Sequence, residues 1–477
     1  MRILFVAAEA SPLAKVGGLA DVIGSLPNAL ARLGHDVRII IPQYGAINTG
    51  QYPLTTVKDK FEIEIMGKIQ PASLNVTTLG DKVPAYLIES SQYFGGEAIY
   101  SENDLERFLF FSRAVFEILP QLDWQPEIVH CHDWHSSLLV MELKKARYPG
   151  ATIFTIHNLA YQGAFDETFL TESNLKKDWG DYPADAPEPP LNFMGQGILW
   201  ADLVTTVSET YAREIVIPEY GEGLDPLLRY RQKELLGIVN GIDYAEYNPE
   251  TDPYLPANYD WSTAERRVKN KLALQEKASL PQDAHVPLIG IVQRLDEQKG
   301  FDLLDKAAAP ILGETGTQLV ILGRGREYYE NMLQQIASEY PKQVALFIAF
   351  DNPLAHLIYA GCDMFLMPSR FEPCGLGQLI AMRYGALPIV RHTGGLVDTV
   401  LELTPDLAKG SGFVFQDYTP EALETAAKKG IAAFRNKEAW HRARQRVMKL
   451  DFSWQASARK YEAAYHKALA DKKARGK

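Results

Sequence analysis

Cysteine is scarce in this chain. Cys131, Cys362 and Cys374 are the only three in 477 residues, too few and too scattered for a disulfide framework, which points to a reducing compartment. No window approaches 18 uninterrupted apolar residues, so no membrane-crossing helix is predicted. Positive charge is also in short supply: 49 Lys and Arg against 60 Asp and Glu give a net charge of −11. That balance argues against nucleic acid or an anionic membrane surface as partner. The opening MRILFVAAEA has one basic residue and meets Glu9 too early for a secretory leader. The expectation is a cytoplasmic protein without internal repeats.

What is present is a long series of short apolar runs. The run Ile3 to Ala8 has the form of a buried parallel strand, and helical spacing follows at Leu19, Val22, Ile23, Leu26, Leu30 and Leu33 up to Gly34. The segment 36–42 is the next strand, completing a β-α-β opening whose ligand site belongs at the strand's C-terminal end. Alternation at 61–65 predicts a small antiparallel insertion within 53–90. Further parallel-type strands fall at 128–131, 152–156 and 203–207, and a second series at 288–292, 319–323, 344–348, 364–368, 387–390 and 413–415. Between the two series, 241–263 is dense in Pro, Asn, Asp and Tyr. The economical architecture is α/β, with two doubly wound domains joined near that segment: 1–245, 246–450, and a terminal helical stretch 451–477. The stretch from Thr419 to Ala470 is nearly all helix-forming, with Trp440 and Trp454 as its large apolar anchors. The irregular stretch around 178–190 is expected to be a surface loop near a site, and the basic end, 472–477, to fray.

Chemistry-bearing residues gather after the strands. Lys15-Val16-Gly17-Gly18-Leu19 puts two glycines and a cation before the first helix, where free N–H groups favour an anion. A plain structural turn explains those glycines but not the lysine. Gly323-Arg324-Gly325-Arg326 suits either a similar turn or a solvated basic one. Arg294 and Lys299 follow the strand at 288–292, with a guanidinium fork and an ammonium suited to a diphosphate. Pro368-Ser369-Arg370-Phe371-Glu372-Pro373-Cys374-Gly375-Leu376-Gly377-Gln378 sets a carboxylate and two glycines between a strand end and a helix start. His130-Cys131-His132-Asp133-Trp134-His135 lacks the spacing of a zinc site, so Asp133 and His135 are taken as hydrogen-bonding residues. His157-Asn158-Leu159-Ala160-Tyr161-Gln162-Gly163 suits a polyhydroxylated ligand, with Tyr161 as platform.

Together these motifs resemble the glycogen and starch synthase family, and within it the bacterial ADP-glucose-dependent type. Val239-Asn240-Gly241-Ile242-Asp243 and Arg391-His392-Thr393-Gly394-Gly395-Leu396 also match, and the matches run in order from residue 2 to about 455. Many relatives carry threonine where Val16 and Gly377 stand. The resemblance implies two facing Rossmann-like domains of GT-B type with an interdomain cleft that closes in the reaction. It implies retaining transfer of glucose from ADP-glucose to the non-reducing 4-hydroxyl of an α-1,4-glucan such as glycogen, without cofactor or metal. The catalytic residues it implies are Glu372, His157, Arg294, Lys299 and Asp133. Substrate would be held by Lys15, Gly18, Asp21, Asn240, Tyr161, Cys374, Gly375, Leu376 and Thr393. Front-face attack assisted by the leaving phosphate is implied in place of a covalent intermediate. The alternatives are a UDP-glucose or sucrose-type synthase, a glucan phosphorylase and an inactive glucan-binding relative.

Overall fold

The computed structural model describes residues 1–179, 183–188, 190–313 and 316–475. The chain divides into two compact units, Met1–Gly241 with Trp454–Lys477, and Ile242–Ser453.

The first unit is built on nine strands: β1 (Arg2–Val6), β2 (Asp36–Pro42), β3 (Thr55–Ile65), β4 (Lys68–Leu79), β5 (Val83–Glu89), β6 (Ile128–His132), β7 (Ala151–Ile156), β8 (Leu203–Thr206) and β9 (Leu235–Gly237). They form one sheet in the order β3-β4-β5-β2-β1-β6-β7-β8-β9. Every residue of β6, β7 and β8 is buried, as parallel strands covered by helices on both faces must be. The antiparallel segment is not a separate insertion. β4 pairs antiparallel with β5, and β5 then pairs parallel with β2 from Ile39↔Ala85 to Pro42↔Ile88. The β3–β4 hairpin therefore stands in the crossover between two parallel strands and extends the sheet.

The second unit has six parallel strands: β10 (Leu288–Val292), β11 (Gln318–Gly323), β12 (Val344–Ile348), β13 (Met364–Met367), β14 (Leu387–Arg391) and β15 (Phe413–Phe415). Their order, β12-β11-β10-β13-β14-β15, is that of a dinucleotide-binding sheet, with the reversal of direction between β10 and β13. In the first unit the corresponding reversal lies between β1 and β6.

The irregular stretch 242–263 belongs to the second unit rather than linking loosely. Asp252 Oδ2 accepts from Tyr384 Oη at 2.5 Å and lies 2.7 Å from His356 Nδ1, while Tyr259 Oη donates to the Tyr384 carbonyl at 2.8 Å. Trp440 and Trp454 are both buried, as expected of anchors. The helix Trp454–Arg475 packs on the helix Gly18–Arg32 and on β7. Its basic end does not fray through the described residues: helix persists to Arg475, and Lys472 Nζ lies 3.1 Å from the buried Asp202 carboxylate and also donates to the Gly150 carbonyl. Of the 178–190 stretch, residues 180–182 and 189 lie outside the described residues.

Candidate functional site

In the first unit the loop after β1 is organised by Glu9, a buried carboxylate at the end of an apolar strand. Its Oε2 accepts from the Val16 and Gly17 N–H groups at 2.6 and 2.9 Å, and its Oε1 accepts from Tyr100 Oη. Those two amides, which lie just before the helix Gly18–Arg32, are thus taken by the protein itself. The Lys15 ammonium is not a lone cation either: it pairs with Asp21 Oδ1 at 2.5 Å on the first turn of the helix. Burial pushes the Asp21 carboxyl up, against the downward pull of Lys15. Gly17 and Gly18 are not required by packing, since a Cβ at either would meet nothing within 4 Å. Their bareness leaves room for a ligand to approach the backbone.

Across the reversal point stand the ends of β6 and β7. Asp133 takes a left-handed backbone, φ 55°, unusual for a residue with a side chain and characteristic of functional turns. Its Oδ1 accepts from the His157 N–H at 2.8 Å. Desolvation raises its pKa to about 7, opposed by the hydrogen bonds from the His157 and Asn158 amides. The His157 ring is half-buried, its Nε2 lies 2.9 Å from His132 Nδ1, and burial lowers its pKa to about 3. It is a neutral imidazole at physiological pH. Gly163, φ 61°, closes this loop against Trp134, where a Cβ would sit 2.3 Å from the indole. Tyr161 is exposed, as a stacking platform requires. Asn240, at the end of the unit's main segment, is buried with Oδ1 lacking a partner among the described residues.

In the second unit the loops after β10 and β13 meet. Lys299 Nζ and Glu372 Oε2 are 2.6 Å apart with both side chains largely buried, and Ser369 Oγ donates to the same oxygen at 2.9 Å. The approach is possible because Gly300, φ 73°, lets the chain pass the Pro368 carbonyl, which a Cβ would meet at 2.0 Å. Arg294 is half-exposed and lies 3.3 Å from Asp296. The turn Cys374-Gly375-Leu376 leads into the helix Gly377–Arg383. Gly375 has φ 75°, the left-handed form that glycine tolerates. The buried Thr393 precedes Gly394-Gly395, and Gly395 donates to the Glu372 carbonyl at 3.0 Å with no space for a Cβ above Cys374. Arg324 and Arg326 are exposed, beyond a short parallel bridge between Leu295 and Gly325.

Within each unit the predicted residues lie on loops at the C-terminal ends of strands: Lys15, Gly18 and Asp21 after β1, Asp133 after β6 and His157 after β7 in the first, and Arg294 and Lys299 after β10, Glu372, Cys374, Gly375 and Leu376 after β13 and Thr393 after β14 in the second. Sequence reasoning missed three partners. Glu9 was visible as a charge closing a buried strand, Ser369 as a hydroxyl three residues before Glu372, and His132 as part of a failed metal pattern and of a family-matching motif, without a role of its own. Among the described residues no group of three or more His, Cys, Asp or Glu could hold a metal ion, and no helix is long and apolar enough to cross a membrane.

Two doubly wound α/β units of this topology are the fold of the GT-B glycosyltransferases. The sucrose-phosphate synthase of Thermosynechococcus elongatus shares that fold, with TM-score 0.62 at 18% identity over 98% of this chain and 99% of its own. Residues 2–230 match the starch synthase catalytic domain and residues 274–446 the glycosyl transferases group 1. The glycogen synthase of Geotalea daltonii is 44% identical over 487 residues, covering 99% of this chain and 100% of its own. The catalytic domain of starch synthase IV from Arabidopsis thaliana, solved with ADP and acarbose, superimposes with TM-score 0.89 at 34% identity, over 98% of this chain and 99% of that one. The chain belongs to the glycogen and starch synthase family.

Proposed function

We propose that this glucosyltransferase of glycogen or starch synthesis takes its glucose from ADP-glucose and adds it, with retention, to the non-reducing 4-hydroxyl of an α-1,4-glucan. The observation that carries the reading is the buried Lys299–Glu372 pair at the second unit's reversal point. A diphosphate arriving there competes with Glu372 for the ammonium. As the glycosidic bond breaks, negative charge grows on the leaving phosphate and positive charge on the glucosyl carbon. Lys299, with Arg294, stabilises the first and Glu372 the second, both from preorganised positions. The Ser369 hydroxyl holds Glu372 in place while its cationic partner turns to the ligand.

The backbone at Cys374, Gly375 and Leu376, together with Thr393, is assigned to the donor's phosphates. In the first unit His157 and Asp133 are assigned to the glucosyl group, Lys15, Gly18 and Asp21 to the donor, Asn240 to the sugar end and Tyr161 to the glucan. No metal is needed, because two cations already cover the leaving group.

Release of the corresponding nucleoside diphosphate (ADP, UDP or GDP) from ADP-, UDP- and GDP-glucose, measured with and without glycogen, tests this. Release from ADP-glucose that depends on glycogen and survives EDTA is expected. Preference for UDP-glucose, or a requirement for Mg²⁺ after metal stripping, refutes the donor or the two-cation account respectively.

A further inference from the structure

We propose that His132 is a positioning residue that locks His157 in the tautomer with its proton on Nδ1. The inference rests on the assignment of His157 to the glucosyl group. The two rings face each other, His132 Nδ1 lying 2.9 Å from His157 Nε2. Burial holds both imidazoles well below their ordinary pKa, so each is neutral and carries one ring proton. One nitrogen of the contact must then donate and the other accept.

The surroundings of His132 decide the direction. Its ring is fully buried, packed 4.0 Å from the His130 ring and stacked 5.4 Å from that of Phe5. His132 Nε2 has no hydrogen-bond partner among the described residues. His130 cannot serve, because its Nε2 lies 2.6 Å from Thr155 Oγ1 and its Nδ1 2.9 Å from Tyr465 Oη. Were the His132 proton on Nε2, a buried N–H would be left without an acceptor, the rarer kind of orphan in folded proteins. With the proton on Nδ1, His132 donates to His157 Nε2 and leaves only a bare lone pair behind. His157 Nε2 is thereby an acceptor, and the proton of His157 lies on Nδ1. That nitrogen has no partner among the described residues and is presented as a fixed donor to a sugar hydroxyl. The lock comes from register as well: β6 and β7 pair parallel with His132↔Thr155, which puts the residue after β7 beside the last residue of β6.

Two measurements test this. In uniformly [15N]histidine-labelled protein, with the His157 signals identified by their loss in His157→Gln, long-range proton–nitrogen correlations should show His157 protonated at Nδ1; protonation at Nε2 overturns the proposal. In kinetics, His132→Leu should lower kcat by about tenfold or more, with the donor KM within threefold. His132→Asn, whose amide N–H falls near the lost Nδ1, should recover most of that loss. Equal kcat in the Leu and Asn variants, high or low, overturns the positioning role, and the spectrum of the parent enzyme decides the tautomer even if His132→Leu does not fold. Full activity in His157→Gln is a separate failure: it removes His157 from the reaction and the lock with it, whatever the spectrum shows.

Discussion

Replacing Glu372 by Gln separates binding from catalysis more sharply than any other single change in this chain. Gln keeps the shape of the side chain and an acceptor for Ser369 Oγ, but it removes the charge 2.6 Å from Lys299 Nζ. Breaking a fully buried pair costs about 3–5 kcal/mol because the remaining charge is uncompensated. The Lys299 side chain is 13% exposed, so water recovers part of this and about 2 kcal/mol is expected. A diphosphate restores the missing counter-charge. ADP should therefore bind the variant more tightly than the parent, by about tenfold or more, since each 1.4 kcal/mol is a factor of ten. Turnover should move the other way, falling by at least about 10²-fold, because the carboxylate that meets the developing positive charge is gone. Calorimetric titration with ADP, unfolding with and without ADP, and initial rates at saturating ADP-glucose and glycogen measure all three. Loss of ADP affinity in parallel with kcat refutes the idea that Glu372 and phosphate compete for Lys299.

Lys15→Gln breaks a pair whose lysine is exposed and whose Asp21 is partly buried, and should change stability by about 1 kcal/mol or less; initial rates should fall by tenfold or more, while calorimetry shows ADP affinity changing far less. Gly18→Ala, with open space at its Cβ, should leave the unfolding midpoint alone and raise the donor KM, whereas Gly300→Ala, at φ 73° and 2.0 Å from the Pro368 carbonyl, should lose at least about 1–3 kcal/mol of stability. Burial lowers the pKa of His135 to about 3. The unfolded chain binds its proton near pH 6.5 and the folded chain only near 3, so this stability is complete above pH 6.5 and is lost between those values as pH falls. His135→Phe should accordingly flatten the loss of stability between pH 6 and 4 by about 1.4 kcal/mol per pH unit, followed by denaturant titrations at several pH values; an unchanged slope shows that His135 is not buried neutral.

The strands were legible because a run such as Ile3 to Val6, completely buried in the structure, announces a parallel strand by composition alone. Site residues were legible for a related reason: in doubly wound sheets the loops at strand ends are where ligands bind, so position along the chain already carried functional meaning. Partnership was not legible. Lys299 and Glu372 stand 73 positions apart, and nothing local to either marks the other. His132 and His130 point to one face of β6 by simple alternation, but that His157 would join them depends on how β7 lies beside β6. The hairpin β3–β4 shows the same limit. Alternation revealed its strands, while its place as a sheet extension depends on β5 finding β2. The basic tail was misjudged because charge alone predicts solvation, whereas Lys472 is held by Asp202, 270 residues earlier.

The first unit is discontinuous, and this dictates an order of folding. Its sheet is complete in sequence by Gly237, yet Tyr465 Oη, which caps the buried His130, and Glu462, which meets His35, lie beyond the whole second unit. During synthesis the ribosome therefore releases the amino-terminal sheet with His130 Nδ1 unsatisfied and the apolar seat of the last helix uncovered. Domains usually mature in the order they are made. Here the second unit can finish before the first, which closes only when the final helix leaves the exit tunnel and docks. A chain stopped short of Trp454 would then damage the half of the protein farthest from the truncation in sequence, exposing the surface around His130 and the helix Gly18–Arg32 to aggregation while leaving the unit at residues 242–453 intact.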